Sequence, residues 1–95
     1  MIITINDLKK AMLDANIHQR YNLKRIGIFG SFARGETFND IDIYIEDEDF
    51  DFEKAENLKD ELERITKVKI DLMRKKIADP IVLYRAKKDM IYVSA

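Results

Sequence analysis

The 95-residue chain contains no cysteine. That removes disulfides and thiolate metal sites together, and it fits an intracellular protein. The only histidine, His18, leaves no nitrogen ligand set to assemble, and a partly exposed place near a helix end is its expected role. Neither sign of charge is in excess. Charged residues make up 37% of the chain, yet the formal net charge is -1, so no global positive field draws nucleic acid, although local basic patches can exist. No apolar run approaches the ~18 residues of a membrane span. The amino-terminal MIITINDLKK meets charged residues too early for a secretory signal. Together these absences lead us to expect a cytoplasmic protein with no membrane or direct nucleic-acid partner. At 46% hydrophobic content the chain supports one domain, residues 1–95, with a modest core and no second, substrate-holding domain.

Glycine is scarce too, and its three occurrences, Gly27, Gly30 and Gly35, fall in one stretch, GIFGSFARGETFNDIDIYI, from Gly27 to Ile45. Glycine permits positive φ and close approach of other groups, so this stretch is where the chain takes an unusual shape. It reads as a strand over Arg25 to Phe29, a Gly30-Ser31 turn with Ser31 at a helix N-cap, and a short helical turn stopped by Gly35. A strand from Asp40 to Glu46 follows. There Ile41, Ile43 and Ile45 point to the core, while Asp40, Asp42, Tyr44 and Glu46 point the other way.

Around this centre, Ile5, Leu8, Met12 and Ala15 have the spacing of one helix face, which predicts a helix from Thr4 to about Gln19 with Thr4 and Asp7 as a capping pair. The acidic run Glu46 to Glu53 reads as a solvated turn feeding a second helix, capped by Asp49 or Asp51. It lacks the glycine and terminal glutamate of a helix-loop-helix calcium site. That helix carries Ala55, Leu58, Leu62 and Ile65 on its apolar face. Thr66 to Met73 alternates as a third strand, with Val68, Ile70 and Leu72 on one face and Asp71 on the polar one. Asp79-Pro80 starts a third helix to about Lys87, and Met90 to Val93 closes the chain as a strand-like piece. The fold expected is α/β in the α+β sense, a small mixed sheet of three to four strands with flanking helices.

Two carboxylates at i and i+2 of a strand share a face with Cα atoms ~6.5 Å apart, close enough to converge on one divalent ion or a pair. A Gly-Ser helix start at the end of the neighbouring strand supplies backbone N–H groups, a hydroxyl and the positive end of a helix dipole, which favour phosphate. Taken singly, Gly30-Ser31 is more often an ordinary turn and cap, Asp40 and Asp42 are more often a solvated strand face, and Asp71 could simply face water. As an ordered set they describe metal-assisted nucleotide chemistry. Asp71 joins them if its strand lies beside that of Asp40 and Asp42. Two ions ~3.5–4 Å apart would then stabilise the leaving pyrophosphate and activate the attacking hydroxyl.

GSFARGETFNDIDIYI, followed by Asp71-Leu72 on a later strand, resembles the minimal nucleotidyltransferases (MNT, MntA-like antitoxins) of the DNA polymerase beta superfamily, over nearly the whole chain. Eight residues separate Ser31 from Asp40, a shorter spacer than that family's, and Asn39 stands where it commonly has serine. The resemblance implies the polymerase-beta-like nucleotidyltransferase fold, with Gly30 and Ser31 on the triphosphate. Asp40 and Asp42 would chelate Mg²⁺, two ions in all, and Asp71 would be the third catalytic carboxylate and metal ligand. Arg34 either supports the turn or reaches a phosphate. The resemblance further implies ATP as substrate and AMP transfer to a hydroxyl, a tyrosine, of a HEPN-domain toxin, with which the chain would form a hetero-oligomer as antitoxin. Small size also favours a protein acceptor, since something else must position the acceptor hydroxyl. Phe32, Phe38, Tyr44 and the tail around Ile81, Tyr84, Ile91 and Tyr92 are the candidate contact residues, with core the stronger expectation for the tail. A binding-only antitoxin and a nucleotide-sensing domain are the rival readings.

Overall fold

The computed structural model describes residues 2 and 4–94. Helix α1 spans Ile5–Asp14 and opens on the expected capping box. The Thr4 hydroxyl accepts the Asp7 N–H at 3.3 Å, and the Asp7 carboxylate accepts the Thr4 N–H at 3.0 Å. The helix does not run on to Gln19. Asn16 turns left-handed at φ 57°, and a separate short helix, α2, spans Ile17–Arg20. In an unbroken helix Met12 and Ile17 would point about 140° apart. The break lets both be fully buried.

Strand β1 (Arg25–Phe29) leads into α3 (Gly30–Ala33), and β2 covers Asp40–Ile45. Helix α4 (Phe52–Thr66) is capped by Asp51, whose carboxylate accepts the Lys54 N–H at 2.9 Å. It takes in Thr66, the first residue of the expected strand Thr66 to Met73. The Thr66 hydroxyl donates to the Leu62 carbonyl at 2.7 Å, and Lys67 ends the helix left-handed at φ 61°. Strand β3 therefore begins at Lys69 and runs to Arg74. A 3-10 turn (Lys75–Ile77), helix α5 (Pro80–Lys87) and strand β4 (Ile91–Ser94) complete the order. Asp79 caps α5 as expected, accepting the Ile81 and Val82 N–H groups ahead of Pro80.

The four strands form one mixed sheet in the order β3-β2-β1-β4, with β2 and β3 parallel and β1 antiparallel to both its neighbours. Its core face carries Ile26, Ile28, Ile41, Ile43, Ile45 and Ile70, packed with Leu8, Met12, Leu58 and Leu62 of α1 and α4. Each such side chain contributes about 1.5–3 kcal/mol by burial. On the edge of β3, the Ile70 N–H is taken by the Glu63 carboxylate at 2.9 Å, which covers one open donor.

The other face holds a grid set by the register. Phe29, Asp42 and Asp71 form one row, and Tyr92, Gly27, Tyr44 and Met73 the next. Tyr44 alternates onto this face as expected but is 1% exposed. A Cβ on its neighbour Gly27 would strike Met90, so the chain after α5 covers this part of the sheet. His18 is likewise buried and not partly exposed: its Nε2–H donates to the Val93 carbonyl at 2.8 Å and ties α2 to β4. Phe32 is buried and Phe38 half-buried, stacked edge-on with centroids 4.7 Å apart, so Phe32 and Tyr44 are not contact surface. The tail reverses the expectation of core, because Ile81, Tyr84 and Ile91 are exposed, while Tyr92 is half-buried beneath the Arg25 guanidinium. Among the described residues, no helix is long and apolar enough to cross a membrane.

Candidate active site

Asp40 and Asp42 leave β2 on the face opposite the buried isoleucines because side chains alternate along a strand. Parallel pairing sets Asp42 directly beside Asp71 of β3, and antiparallel pairing sets it beside Phe29 at the end of β1. One carboxylate oxygen from each of Asp40, Asp42 and Asp71 lies within 4.8 Å of the other two. The juxtaposition that the sequence left conditional on strand order is thus met. Asp40 and Asp42 are half-buried and Asp71 is exposed, so the cluster opens to solvent on its β3 side.

Crowding three carboxylates has an electrostatic cost. The Asp42 carboxyl is pushed up to about 6, first by burial, then by the charges of Asp40 and Asp71 and by a hydrogen bond with Asp71, with Arg34 pulling the other way. A divalent cation removes that repulsion. The donors are all carboxylate oxygens, the ligands hard cations such as Mg²⁺ take, so the residues present fit such an ion.

Gly30 follows β1 immediately and is the first residue of α3, at φ +76°. Its missing side chain is filled by Asp42: a Cβ there would fall on the Asp42 carboxylate. The Gly-Ser turn and the carboxylates are therefore one packed unit. Ser31 is the second residue of α3 and not its N-cap. That position belongs to extended Phe29, which makes no side-chain capping bond.

Arg34 ends this turn held by two acids. Its Nε donates to Glu36 at 3.1 Å and its guanidinium to Asp89 at 2.7 Å. Asp89 lies 55 residues away, between α5 and β4, and nothing in the sequence marks it as a partner of Arg34. Beyond Asp71 a groove of about 350 Å³ runs between β3 and α5, lined among others by Phe29, Asp71, Met73, Ile77 and Val82. It too went unseen in the sequence, because it depends on how α5 crosses the sheet.

A family model described as "Polymerase beta, Nucleotidyltransferase" matches residues 13–94. A Methanocaldococcus jannaschii protein named "Putative protein adenylyltransferase" is 35% identical over 98 residues, covering 95% of this chain and 98% of that one. Among solved structures, a toxin–antitoxin with AMP-PNP superposes with a TM-score of 0.74 at 20% identity, over 90% of this chain and 71% of the other. A chain from the tri-AMPylated Shewanella oneidensis HEPN toxin in complex with MNT antitoxin does so at 0.67 and 20% identity, over 90% and 71%. At such identities the structural likeness speaks for the fold, whereas the family match spans the Gly30-Ser31 turn and all three aspartates. The chain belongs to the polymerase beta nucleotidyltransferase family.

Proposed function

We propose that the chain transfers AMP from ATP to a hydroxyl, a tyrosine, of a partner HEPN-domain toxin and thereby silences it. The observation that carries this reading is the convergence of Asp40, Asp42 and Asp71 beside Gly30. Support comes from the relative named a protein adenylyltransferase and from the structural neighbours that contain AMP-PNP or an AMPylated HEPN toxin.

In this reading Asp40, Asp42 and Asp71 hold Mg²⁺, in a pair of ions. The metal supplies charge neutralisation on the phosphates and a lowered pKa for the acceptor hydroxyl. Gly30 and Ser31 receive the triphosphate through the first-turn backbone N–H groups of α3 and the Ser31 hydroxyl, while the missing Cβ of Gly30 leaves room for the Asp42 carboxylate beside them. The acceptor oxygen attacks the α-phosphorus; the new P–O bond forms as the bond to the bridging oxygen of pyrophosphate breaks. Pyrophosphate leaves with that electron pair, and the acceptor proton passes to Asp71, the most exposed carboxylate of the three, and then to solvent.

Intact-mass spectrometry of the partner after incubation with this chain, ATP and Mg²⁺ tests the proposal. Mass increments of whole adenylates are expected, and none with Asp40→Asn/Asp42→Asn. Neutralisation that survives the double substitution with no mass change would replace this reading with a binding-only antitoxin.

A further inference from the structure

Helix α5 is apolar on every side over Ile81, Val82, Leu83 and Tyr84. A helix of that composition is ordinarily buried. Here only Ala86 is buried, while Ile81 is 65% exposed, Tyr84 67% and Val82 51%. Ile77, in the 3-10 turn just before, is 70% exposed and extends the same surface. Contiguous apolar surface of this kind marks an interaction site.

Two features say what covers it. The groove between β3 and α5 has Asp71 at one wall and Ile77 and Val82 at another, so a chain seated on α5 reaches the carboxylate cluster without leaving the surface. The rim carries a positive excess: residues 74–88 contain six cations, Arg74, Lys75, Lys76, Arg85, Lys87 and Lys88, against Asp79 within the segment and Glu46 and Glu48, which share a pocket with Lys75 and Lys76. Asp79 is itself engaged by the Ile81 and Val82 N–H groups. A twofold pairing of α5 with a second copy would set like-charged rims against each other, which costs affinity.

We infer that α5 and the turn before it are the docking surface for the protein that receives the adenylate, and that its docking segment is apolar and flanked by acidic side chains. The inference rests on the proposed function and assigns the acceptor its place on the fold. An occupant on α5 lays its hydroxyl-bearing segment along the groove to Asp71, and the basic rim sets its orientation.

The test is isothermal titration of this chain with the HEPN-domain protein that the mass measurement above identifies as its adenylate acceptor. Wild type is compared with Ile81→Glu/Tyr84→Glu, the milder Ile81→Ala/Tyr84→Ala, and Lys75→Glu/Lys76→Glu, with circular dichroism and Mg²⁺·AMP-PNP binding measured for each. We expect both α5 variants to weaken the complex, the glutamate pair by about tenfold or more, with nucleotide affinity retained. Lys75→Glu/Lys76→Glu should weaken it and flatten its salt dependence. If α5 variants that fold and hold nucleotide bind the partner as wild type does, the surface assignment is overturned and the proposed function stands. An unchanged Lys75→Glu/Lys76→Glu complex overturns the acidic chemistry of the partner. A wild-type chain that does not bind the HEPN-domain protein overturns the functional reading and this inference with it. Self-association abolished by Ile81→Glu/Tyr84→Glu overturns the inference in favour of a second copy.

Discussion

Gly30 packs against Asp42 so closely that the carboxylate occupies the space a Cβ would need. Gly35 offers a control within the same loop, since its φ is nearly the same, +75° against +76°, but nothing lies within 4 Å of its absent Cβ. Alanine at either position takes on left-handed strain of about 1–2 kcal/mol. Only at Gly30 must Asp42 also move. Gly35→Ala should therefore lower thermal stability while leaving Mg²⁺ and AMP-PNP affinity intact, and Gly30→Ala should lose both affinities. Paired melting curves and titrations check this, and equal ligand affinities in the two variants would refute the coupling of turn and carboxylate.

The raised pKa of Asp42 gives the metal-free protein a pH dependence of definite sign. The folded state binds a proton that the unfolded state releases between about 3.8 and 6, so this group's contribution favours folding below that window and is lost as pH rises through about 6. A shift of this size corresponds to about 3 kcal/mol, and the half-open site reduces it to about 1 kcal/mol, or ~5 °C in Tm. Asp42→Asn should raise the metal-free Tm at pH 7.5 by that order and leave it unchanged at pH 4. Mg²⁺ competes with the same proton, so its stabilisation of wild type should be larger at pH 7.5 than at pH 5.

What the sequence disclosed follows from local rules. Asp79-Pro80, Thr4 with Asp7, and the alternation of Ile41, Ile43 and Ile45 with Asp40 and Asp42 each encode their structure within a few residues, and each is found in place. Strand order is not local. Nothing in the sequence sets β3 beside β2, so the meeting of Asp71 with Asp42 was conditional until the register was known. His18 is buried where its helix-end position alone implies exposure, because its partner, the Val93 carbonyl, is 75 residues distant. The exposure of the tail departs from its sequence pattern for a different reason. Ile81, Tyr84 and Ile91 have the composition of core, and a surface awaiting a partner is built from the same residue types.

Glu61 lies on α4 at a position the apolar spacing passes over, yet it is buried. Its carboxylate accepts the Arg20 guanidinium at 2.5 and 2.9 Å and the Tyr21 hydroxyl at 3.0 Å. The Arg20 bond lowers the Glu61 pKa below its ordinary 4.5, so the stabilisation is present above that value and fades as pH falls through the folded pKa. Glu61→Gln should lower Tm at pH 7 and narrow the gap to wild type at pH 3. With Asp42 acting in the opposite direction, metal-free stability should peak on the acid side of neutrality. A pH series of melts on wild type, Asp42→Asn and Glu61→Gln resolves the two limbs.

Arg34, the candidate phosphate contact, is held at the end of α3 by Glu36 and Asp89. Its ion pairs with Glu36 and Asp89 lie at the surface, where such pairs add little stability, so their value is in where they hold the guanidinium. That position is near enough to Asp42 to oppose the rise in its pKa. If Arg34 meets a phosphate, the carboxylate of Asp89 competes with it for the same N–H groups. Arg34→Ala should then weaken AMP-PNP binding, and Asp89→Asn, which frees the guanidinium without removing it, should leave binding equal or tighter. If Arg34 only braces the turn, the two substitutions act alike, because each breaks the same link between α3 and the segment after α5. Titration of AMP-PNP into both variants separates the roles, with melting curves to show that each remains folded.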